Sequence, residues 1–181
     1  MAYIEIQTKR LVLKDIDPVD AHAMFEYRSD PVIMEFQSFK PTSIHDVETF
    51  IKNNTLLFNV MDTWFQIGIY YEDTLIGDIG IHFLDPKNKH CEIGYTIGRK
   101  DQHKGFRKES VQASIDYIFT VLKKHRITAS VDPENKASIR LLKNLGFRNE
   151  GCFVKSILVD TEWKDDMVFG IVEEEWQKIK K

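Results

Sequence analysis

Residues 135–147 read Asn-Lys-Ala-Ser-Ile-Arg-Leu-Leu-Lys-Asn-Leu-Gly-Phe, and this stretch decides the fold. Its spacing predicts a helix from about Asn135 to Leu145, because residues at i, i+3, i+4 and i+7 share one face. That buried stripe consists of Ser138, Leu141, Leu142 and Leu145. Gly146 follows where a residue with positive φ commonly ends a helix. Asn135 is a favoured N-cap residue, so the Ser138 hydroxyl either completes the cap or faces a neighbouring site.

A second informative stretch is Gln102-His103-Lys104-Gly105-Phe106-Arg107, at the predicted junction of a strand and a long helix. Free backbone N–H groups and the positive end of the helix dipole meet at such a junction and can hold a phosphate. Lys104, Arg107 and Lys108 add positive charge. The glycine follows the lysine and no serine or threonine comes directly after it, so this is not a Walker loop. The junction is either an anion site or a solvated turn.

Hydrophobic periodicity predicts the remaining elements on both sides of these two stretches. On the N-terminal side it predicts a strand at Leu11–Ile16, a helix from Asp17 to about Arg28, and a helix that starts near Ser43 with Val47, Phe50 and Ile51 on its apolar face. Three β-rich runs, Trp64–Tyr71, Leu75–Leu84 and His90–Ile97, are separated by turn residues. They predict an antiparallel meander.

The C-terminal side continues the alternation of helix and strand. After Gly105, one helical face carries Val111, Ile115, Ile118, Phe119 and Leu122. A short strand at Arg126–Val131 is followed by the helix at Asn135, and the chain closes with a hairpin. We predict the hairpin strands at Phe153–Val159 and Met167–Ile171, around Asp160-Thr161, and a short polar helix that extends to Lys181.

Length and composition indicate one domain spanning residues 1–181, with 43% apolar residues for its core. The net charge of −3 gives no reason to expect a nucleic-acid partner. Cys91 and Cys152 lack metal-ligand spacing and are expected to be reduced core thiols, which favours the cytoplasm. No apolar stretch resembles a signal peptide or a membrane span, so we expect a soluble protein without a membrane partner.

The order of these motifs resembles that of the GNAT superfamily of acetyl-CoA-dependent N-acetyltransferases. The resemblance rests on the strand Glu92-Ile93-Gly94-Tyr95, the loop Gln102-x-x-Gly105-x-Arg107, and Asn135-x-x-Ser138 running to Gly146-Phe147. The segments Tyr27–Pro31 and Trp163–Asp166 are similar to the branch of ribosomal-protein alanine acetyltransferases. The resemblance implies a mixed α/β (α+β) fold, the acyl-CoA N-acyltransferase fold, with a bent central sheet, splayed middle strands and flanking helices.

The resemblance also implies how acetyl-CoA would bind. Backbone groups from Tyr95 to Ile97 would pair with the pantetheine arm, and amides from His103 to Lys108 would hold the pyrophosphate. The full set of implied cofactor-binding residues is Tyr95, Ile97, Gln102, His103, Lys104, Gly105, Phe106, Arg107, Lys108, Asn135 and Ser138. Relatives usually carry glycine or alanine at the position of Arg107, and often glycine at that of His103. We therefore expect the Arg107 side chain to lie beside the phosphates or to swing away from them.

Two residues are candidates for catalysis. Glu92 would accept the proton of the amine through water, although strict strand alternation also allows it to be a solvent-facing residue. Ser138 would donate a hydrogen bond to the departing thiolate, since no tyrosine falls on the helix after Asn135. The histidines show no metal-ligand spacing, so no metal is predicted. Trp64 and Phe65 are more typical of core than of cleft, although the resemblance lets one of them flank the acceptor.

Two functions remain open on these grounds. The first is transfer of an acetyl group from acetyl-CoA to a primary amine, on a protein N-terminus or a small molecule, by direct attack in a ternary complex. The second is a non-catalytic acyl-CoA-binding or regulatory module, suggested by Arg107 in the phosphate loop. Nucleotide phosphate transfer at Lys104-Gly105 is disfavoured, because the residues that would hold magnesium are missing. The sequence leaves open the identity of the amine acceptor and whether the chain is a monomer or a homodimer.

Overall fold

The computed structural model describes residues 4–54 and 58–180. Its strands are β1 Glu5–Gln7, β2 Val12–Asp15, β3 Thr63–Tyr71, β4 Thr74–Phe83, β5 His90–Ile97, β6 Arg126–Val131, β7 Arg148–Val159 and β8 Glu162–Val172. Its helices are α1 Ala21–Arg28, α2 Pro31–Met34, α3 Ile44–Asn54, α4 Phe106–Thr120, α5 Lys136–Asn144 and α6 Glu173–Ile179, with 3-10 turns at Pro18–Asp20 and Arg99–Asp101.

The strands form one mixed sheet in the order β1-β2-β3-β4-β5-β6-β8-β7. Neighbouring strands are antiparallel except β5 and β6, which run parallel. This parallel pair is joined at three positions, His90↔Arg126, Cys91↔Ile127 and Glu92↔Thr128. Beyond Glu92 the two strands no longer pair, so the middle of the sheet is splayed, as the sequence resemblance implied.

Two groups of buried side chains hold the helices on the sheet. The larger group joins β3, β4 and β5 to α4 through residues such as Ile79, Ile81 and Ile115, which have no exposed surface. The smaller group packs α1 and α3 together through Met24 and Val47. Burial of these aliphatic side chains is the main favourable term in folding. It fixes the start of α4 and the segment after α1, which both border the splayed strands.

The expected meander of β3, β4 and β5 and the helices α1, α3, α4 and α5 are confirmed with small shifts in their bounds. Two short elements, β1 and α2, were not predicted, because three or four residues are too few to show a period. The strand expected at Leu11–Ile16 covers Val12–Asp15. Leu122 lies beyond the end of α4 at Thr120. The last helix ends at Ile179, and Lys181 lies outside the described residues.

The C-terminal hairpin is longer than the sequence predicted. β7 and β8 begin to pair at Arg148↔Gly170, and many of their side chains are exposed, so no alternation of burial marked their ends. The pairing is interrupted between Phe153 and Ile157, where Lys155 adopts a positive φ of 48° and donates its amide to Asp165 Oδ1 at 2.8 Å. This bulge bends the outer part of the hairpin away from the regular ladder.

The two cysteines lie in different environments. Cys91 is buried as expected, but Cys152 lies exposed on β7, so only one of the two thiols belongs to the core. The expectation for Cys152 was wrong because the first residues of β7 lie outside the packed interior.

Across the described ranges, no helix has both the length and the apolar character needed to cross a bilayer.

Candidate active site

A cleft of about 560 Å³ opens where β5 and β6 separate. Its walls come from residues 35–40 after α2, from β5 and β6, from the N-terminus of α5, and from the outer half of the β7–β8 hairpin. A smaller groove of about 160 Å³ runs toward the start of α4. The two spaces share Phe36, Gln37, Tyr95, Asn135 and Ser138. Two ligands that entered from opposite sides would therefore meet at these residues.

The smaller groove, which we call the cofactor groove, ends at the turn that precedes α4. Gly105 is the N-cap residue of α4, with a φ of 84°, and it provides no capping side chain. Within the described chain, the amides of residues 103–108 donate to no backbone acceptor. Free N–H groups at a helix N-terminus can hold an anion such as pyrophosphate. His103 also has a positive φ, 63°, a conformation that glycine adopts at no steric cost.

Arg10 holds this turn in place from the other end of the chain. Its Nη1 atom donates to the Lys104 carbonyl oxygen at 2.9 Å, and its Nη2 atom lies 2.7 Å from the Glu109 carboxylate on α4. The guanidinium also lies 4.5 Å from the centroid of the Phe106 ring, which is buried. Phe106 can therefore reach a cofactor only with its amide. Arg10 is a positioning residue that sequence reasoning missed, since it lies far from the turn in the chain.

The basic side chains near the turn differ in their availability. Lys104 is paired with Asp101 at 2.8 Å, and Lys108 is exposed. Arg107 is half-buried and lines the cofactor groove beside Tyr95 and Ile97, with no carboxylate partner in the described part of the chain. Burial lowers the pKa of Arg107, and the Tyr95 side chain acts in the opposite direction. Arg107 therefore points along the groove, where its guanidinium can contact a ligand.

One edge of β5 is free along the cleft. Tyr95, Thr96 and Ile97 pair with β4 on one side, whereas β6 has already separated on the other. The Ile97 carbonyl oxygen accepts a hydrogen bond from Gln102 Nε2 at 3.1 Å, which ties the turn to the strand. An extended group such as a pantetheine arm can therefore lie against this edge like an added strand.

Ser138 lies at the junction of the two spaces and is 9% exposed. The Asn135 side chain caps α5 by accepting the Ser138 amide, so the Ser138 hydroxyl does not complete the cap. The Tyr95 hydroxyl is buried close to Ser138. Among the described residues, no donor or acceptor is placed to form a hydrogen bond with it. Burial raises the pKa of Tyr95, while the Ser138 hydroxyl and Arg107 lower it. An unpartnered buried hydroxyl is costly, and a ligand in the cleft would satisfy it.

Glu92 is half-buried and lines the cleft, on the strand face opposite the buried Cys91 and Ile93. Strict alternation therefore holds at this residue, and the face that it occupies borders the cleft where β6 separates from β5. Burial raises the pKa of Glu92, the His82 imidazole on β4 lowers it, and Asp166 on β8 raises it. A raised pKa suits a carboxylate that accepts a proton near neutral pH.

The aromatic pair at the start of β3 divides between core and cleft. Phe65 is 2% exposed and belongs to the core, as expected. Trp64 is 42% exposed, lines the cleft, and stacks on His82 with ring centroids 4.8 Å apart. The indole therefore forms part of the wall of the larger space and does not line the cofactor groove.

A buried network positions residues 35–40 over the cleft. The Arg28 guanidinium forms an ion pair with Asp78, and Tyr27 donates its hydroxyl to the same carboxylate at 2.6 Å. Arg28 Nη1 also donates to Gln37 Oε1 at 3.0 Å, and the Thr96 hydroxyl donates to the same oxygen. The motif around Tyr27 and Arg28 thus fixes Gln37, a residue that borders both spaces.

The larger space is strongly acidic. Six of its lining residues carry carboxylates and two are lysines, namely Glu35, Glu92, Asp132, Asp160, Asp165 and Asp166 against Lys40 and Lys164. Both lysines are already paired, Lys40 with Asp160 and Lys164 with Glu162. The negative potential that remains favours a cationic ligand. We call this space the acceptor cleft.

The chain matches the family model described as an acetyltransferase (GNAT) domain over residues 10–148. It is 34% identical over 173 residues to the uncharacterized N-acetyltransferase YnaD of Bacillus subtilis, which covers 96% of this chain and 99% of that protein. It is also 38% identical over 86 residues to the ribosomal protein uS5 alanine N-acetyltransferase of Escherichia coli, 48% of this chain and 44% of that one.

Among solved structures, the fold is similar to that of RimL, a ribosomal L7/L12 alpha-N-protein acetyltransferase in complex with coenzyme A. The TM-score is 0.85 at 18% identity, over 93% of this chain and 98% of RimL. At this identity the likeness concerns the fold alone.

Proposed function

This chain belongs to the GNAT acetyltransferase family, and from that premise we propose that it transfers the acetyl group of acetyl-CoA to a primary amine by direct attack in a ternary complex. The observation that carries the proposal is the junction of the cofactor groove and the acceptor cleft at Tyr95, Asn135 and Ser138. Because ligands from the two sides meet there, an amine and a thioester can be held within reacting distance.

The residues of the groove fit the chemical groups of acetyl-CoA. The free amides of residues 103–108 match a pyrophosphate, the open edge of β5 matches the amides of pantetheine, and Arg107 adds a cation beside them. Bound there, acetyl-CoA supplies the thioester as the acyl donor. RimL, which shares the fold, was solved with coenzyme A, and this supports the same class of donor here.

The chain's own residues then have three tasks. Glu92 accepts the proton of the amine, directly or through water, in the acceptor cleft. Ser138 directs its hydroxyl toward the position of the sulfur and donates to the thiolate as negative charge develops. The network of Arg28 and Asp78 keeps Gln37 over the junction and helps to exclude water.

We propose a protein N-terminus as the acceptor. The uS5 acetyltransferase of Escherichia coli is named for modification of an alanine in a ribosomal protein, and RimL for an alpha-N-protein activity. The acceptor cleft opens along the exposed β7–β8 hairpin, which leaves room for a chain to continue from the reacting amine. The acidic lining favours a positively charged terminus. We further propose that residues 1–181 act as one domain in the cytoplasm.

An acceptor screen tests this function. Release of the thiol from acetyl-CoA is followed with unblocked alanine- and serine-ended peptides, polyamines, amino acids and aminoglycosides, with acetyl-blocked peptides as matched controls. We expect turnover with unblocked peptides and none with blocked ones. Tight binding of acetyl-CoA without turnover on any amine would instead support the alternative of a non-catalytic acyl-CoA-binding module.

A further inference from the structure

The late motif Trp163-Lys164-Asp165-Asp166 has so far contributed only to the charge of the acceptor cleft. Its last residue, Asp166, is half-buried on β8 and lines the acceptor cleft together with Glu92 on β5. The Ser130 hydroxyl on β6, between these two strands, donates to Asp166 Oδ1 at 2.6 Å. The hydrogen bond fixes one carboxylate oxygen and leaves the other free to contact a ligand.

Glu92 and Asp166 lack a lysine or arginine partner within the part of the chain that the structure describes. Lys40 and Lys164 line the same cleft but pair with other carboxylates. Half-buried carboxylates are normally paired, because desolvation of an unpaired charge is unfavourable. The buried, unpartnered hydroxyl of Tyr95 borders the same space. The cleft therefore contains hydrogen-bonding oxygens that a cation with several N–H donors would satisfy.

We propose that Glu92 and Asp166 together bind the primary ammonium of the acceptor, and that Asp166 is a specificity-determining residue for this reaction. The inference rests on the proposed function. An ammonium group has three N–H donors, enough to contact both carboxylates at once. One proton then passes from the nitrogen to the Glu92 carboxylate, which leaves a neutral amine and a protonated Glu92. Asp166 keeps the nitrogen in place during that step.

Electrostatics in the cleft agree with this division of roles. The negative charge of Asp166 favours the protonated form of Glu92, and His82 on β4 has the opposite effect. The other charged groups that face the cleft are Glu35 and Lys40 after α2, Asp132 after β6, and Asp160, Lys164 and Asp165 on the hairpin. Loss of Asp166 should therefore weaken amine binding and also lower the pKa of Glu92.

The test compares Asp166→Asn with the parent and with Glu174→Gln, which removes an exposed carboxylate on α6 outside the cleft. With an alanine-ended peptide, Asp166→Asn should raise the KM for the peptide by about tenfold, as expected for one lost charged hydrogen bond. The KM for acetyl-CoA should not change. In Asp166→Asn the acidic limb of the pH profile of kcat/KM should move to lower pH, because Asp166 raises the pKa of Glu92. In His82→Gln the limb should move to higher pH, because His82 lowers that pKa. Glu174→Gln should change neither quantity.

A second measurement does not depend on turnover. Titration of 13C-labelled glutamate and aspartate carboxyls with alaninamide, a simple primary ammonium, should shift the Glu92 and Asp166 signals together, and Asp166→Asn should weaken binding about tenfold. If the parent is active and Asp166→Asn changes neither the KM for the peptide nor the acidic limb of kcat/KM, the inference is overturned while the proposed function stands. A parent that binds acetyl-CoA but acetylates no amine would overturn the proposed function. In that case the inference is tested by the titration alone, and alaninamide binding that does not shift the Asp166 signal would overturn it.

Discussion

The side-chain oxygen of Asn135 accepts the backbone N–H of Ser138 at 3.1 Å, so the helix cap uses the amide of Ser138 and leaves its hydroxyl free. The hydroxyl lies where the cofactor groove and the acceptor cleft meet. The two residues therefore have separable tasks, in which Asn135 stabilises the start of α5 and Ser138 faces the reaction. This separation can be tested by substituting each residue alone.

Ser138→Ala should lower kcat by roughly ten- to a hundredfold, or ~1.4–2.7 kcal/mol of barrier, and barely change acetyl-CoA binding. The reason is that a hydrogen bond to the thiolate strengthens only as charge develops on sulfur. Asn135→Ala should instead cost about 1 kcal/mol of unfolding free energy through the lost cap. Steady-state kinetics and melting curves on both variants make the comparison. An unchanged kcat in Ser138→Ala would remove the catalytic assignment.

Gly105→Val should weaken acetyl-CoA binding strongly. A β-branched residue is strained at the φ of 84°, and an added Cβ would lie 3.3 Å from Arg10 Nη2, so the free amides of the turn would be displaced. Isothermal titration calorimetry on the folded variant measures the effect. Arg107→Ala serves as the comparison and should change affinity only modestly, with the fold intact. Unaltered affinity in folded Gly105→Val would mean that the phosphate site lies elsewhere.

Asp78→Ala should destabilise the protein by about 3–5 kcal/mol, because it leaves the Arg28 guanidinium buried without its carboxylate. The side chains of Arg28 and Asp78 are only 6% and 1% exposed. Asp160→Asn is the matched control, since asparagine tolerates the φ of 55° at this turn and the surface pair Lys40–Asp160 should contribute about 0–1 kcal/mol. Chemical denaturation of the two variants measures both changes. Equal effects would show that the buried pair does not anchor residues 35–40.

Glu92→Gln should slow acetyl transfer but stabilise the fold at neutral pH. The pKa of Glu92 is raised in the folded state, so the folded protein binds more protons than the unfolded chain as the pH rises above 4.5. Stability contributed by Glu92 is therefore present below the unfolded pKa and is lost as the pH rises through the folded pKa. The gain in melting temperature from Glu92→Gln should grow over that window and disappear in acid. A gain that is independent of pH would contradict this.

Long periodic segments made much of the fold predictable from the sequence. The stripe of Leu141 and Leu142 defined α5, and Gly146 marked its end with a φ of 87°. The run from His90 to Ile97 was placed correctly because a clear turn separates it from its antiparallel neighbour β4. The hairpin was underestimated because exposed strands such as Arg148–Val159 show no alternation of buried residues.

The site was less predictable than the fold, because several of its residues act across long separations in the chain. The bond from Arg10 to the Lys104 carbonyl spans 94 residues, and nothing near Arg10 in the sequence indicates a partner. Asp166 reaches the cleft only because β8 lies beside β6. Glu92 was ambiguous because alternation predicts which face of β5 it occupies, but not whether that face borders bulk solvent or a cleft.

The central claim is that this chain acetylates a primary amine where its two clefts meet. The most direct measurement is the mass of an unblocked alanine-ended peptide after incubation with acetyl-CoA and the protein, with fragmentation to locate the modification. We predict one added acetyl group on the α-amine, formed at a much lower rate by Ser138→Ala and absent from the acetyl-blocked peptide. An unmodified peptide, together with tight acetyl-CoA binding and no acetylation of polyamines, amino acids or aminoglycosides, would contradict the claim.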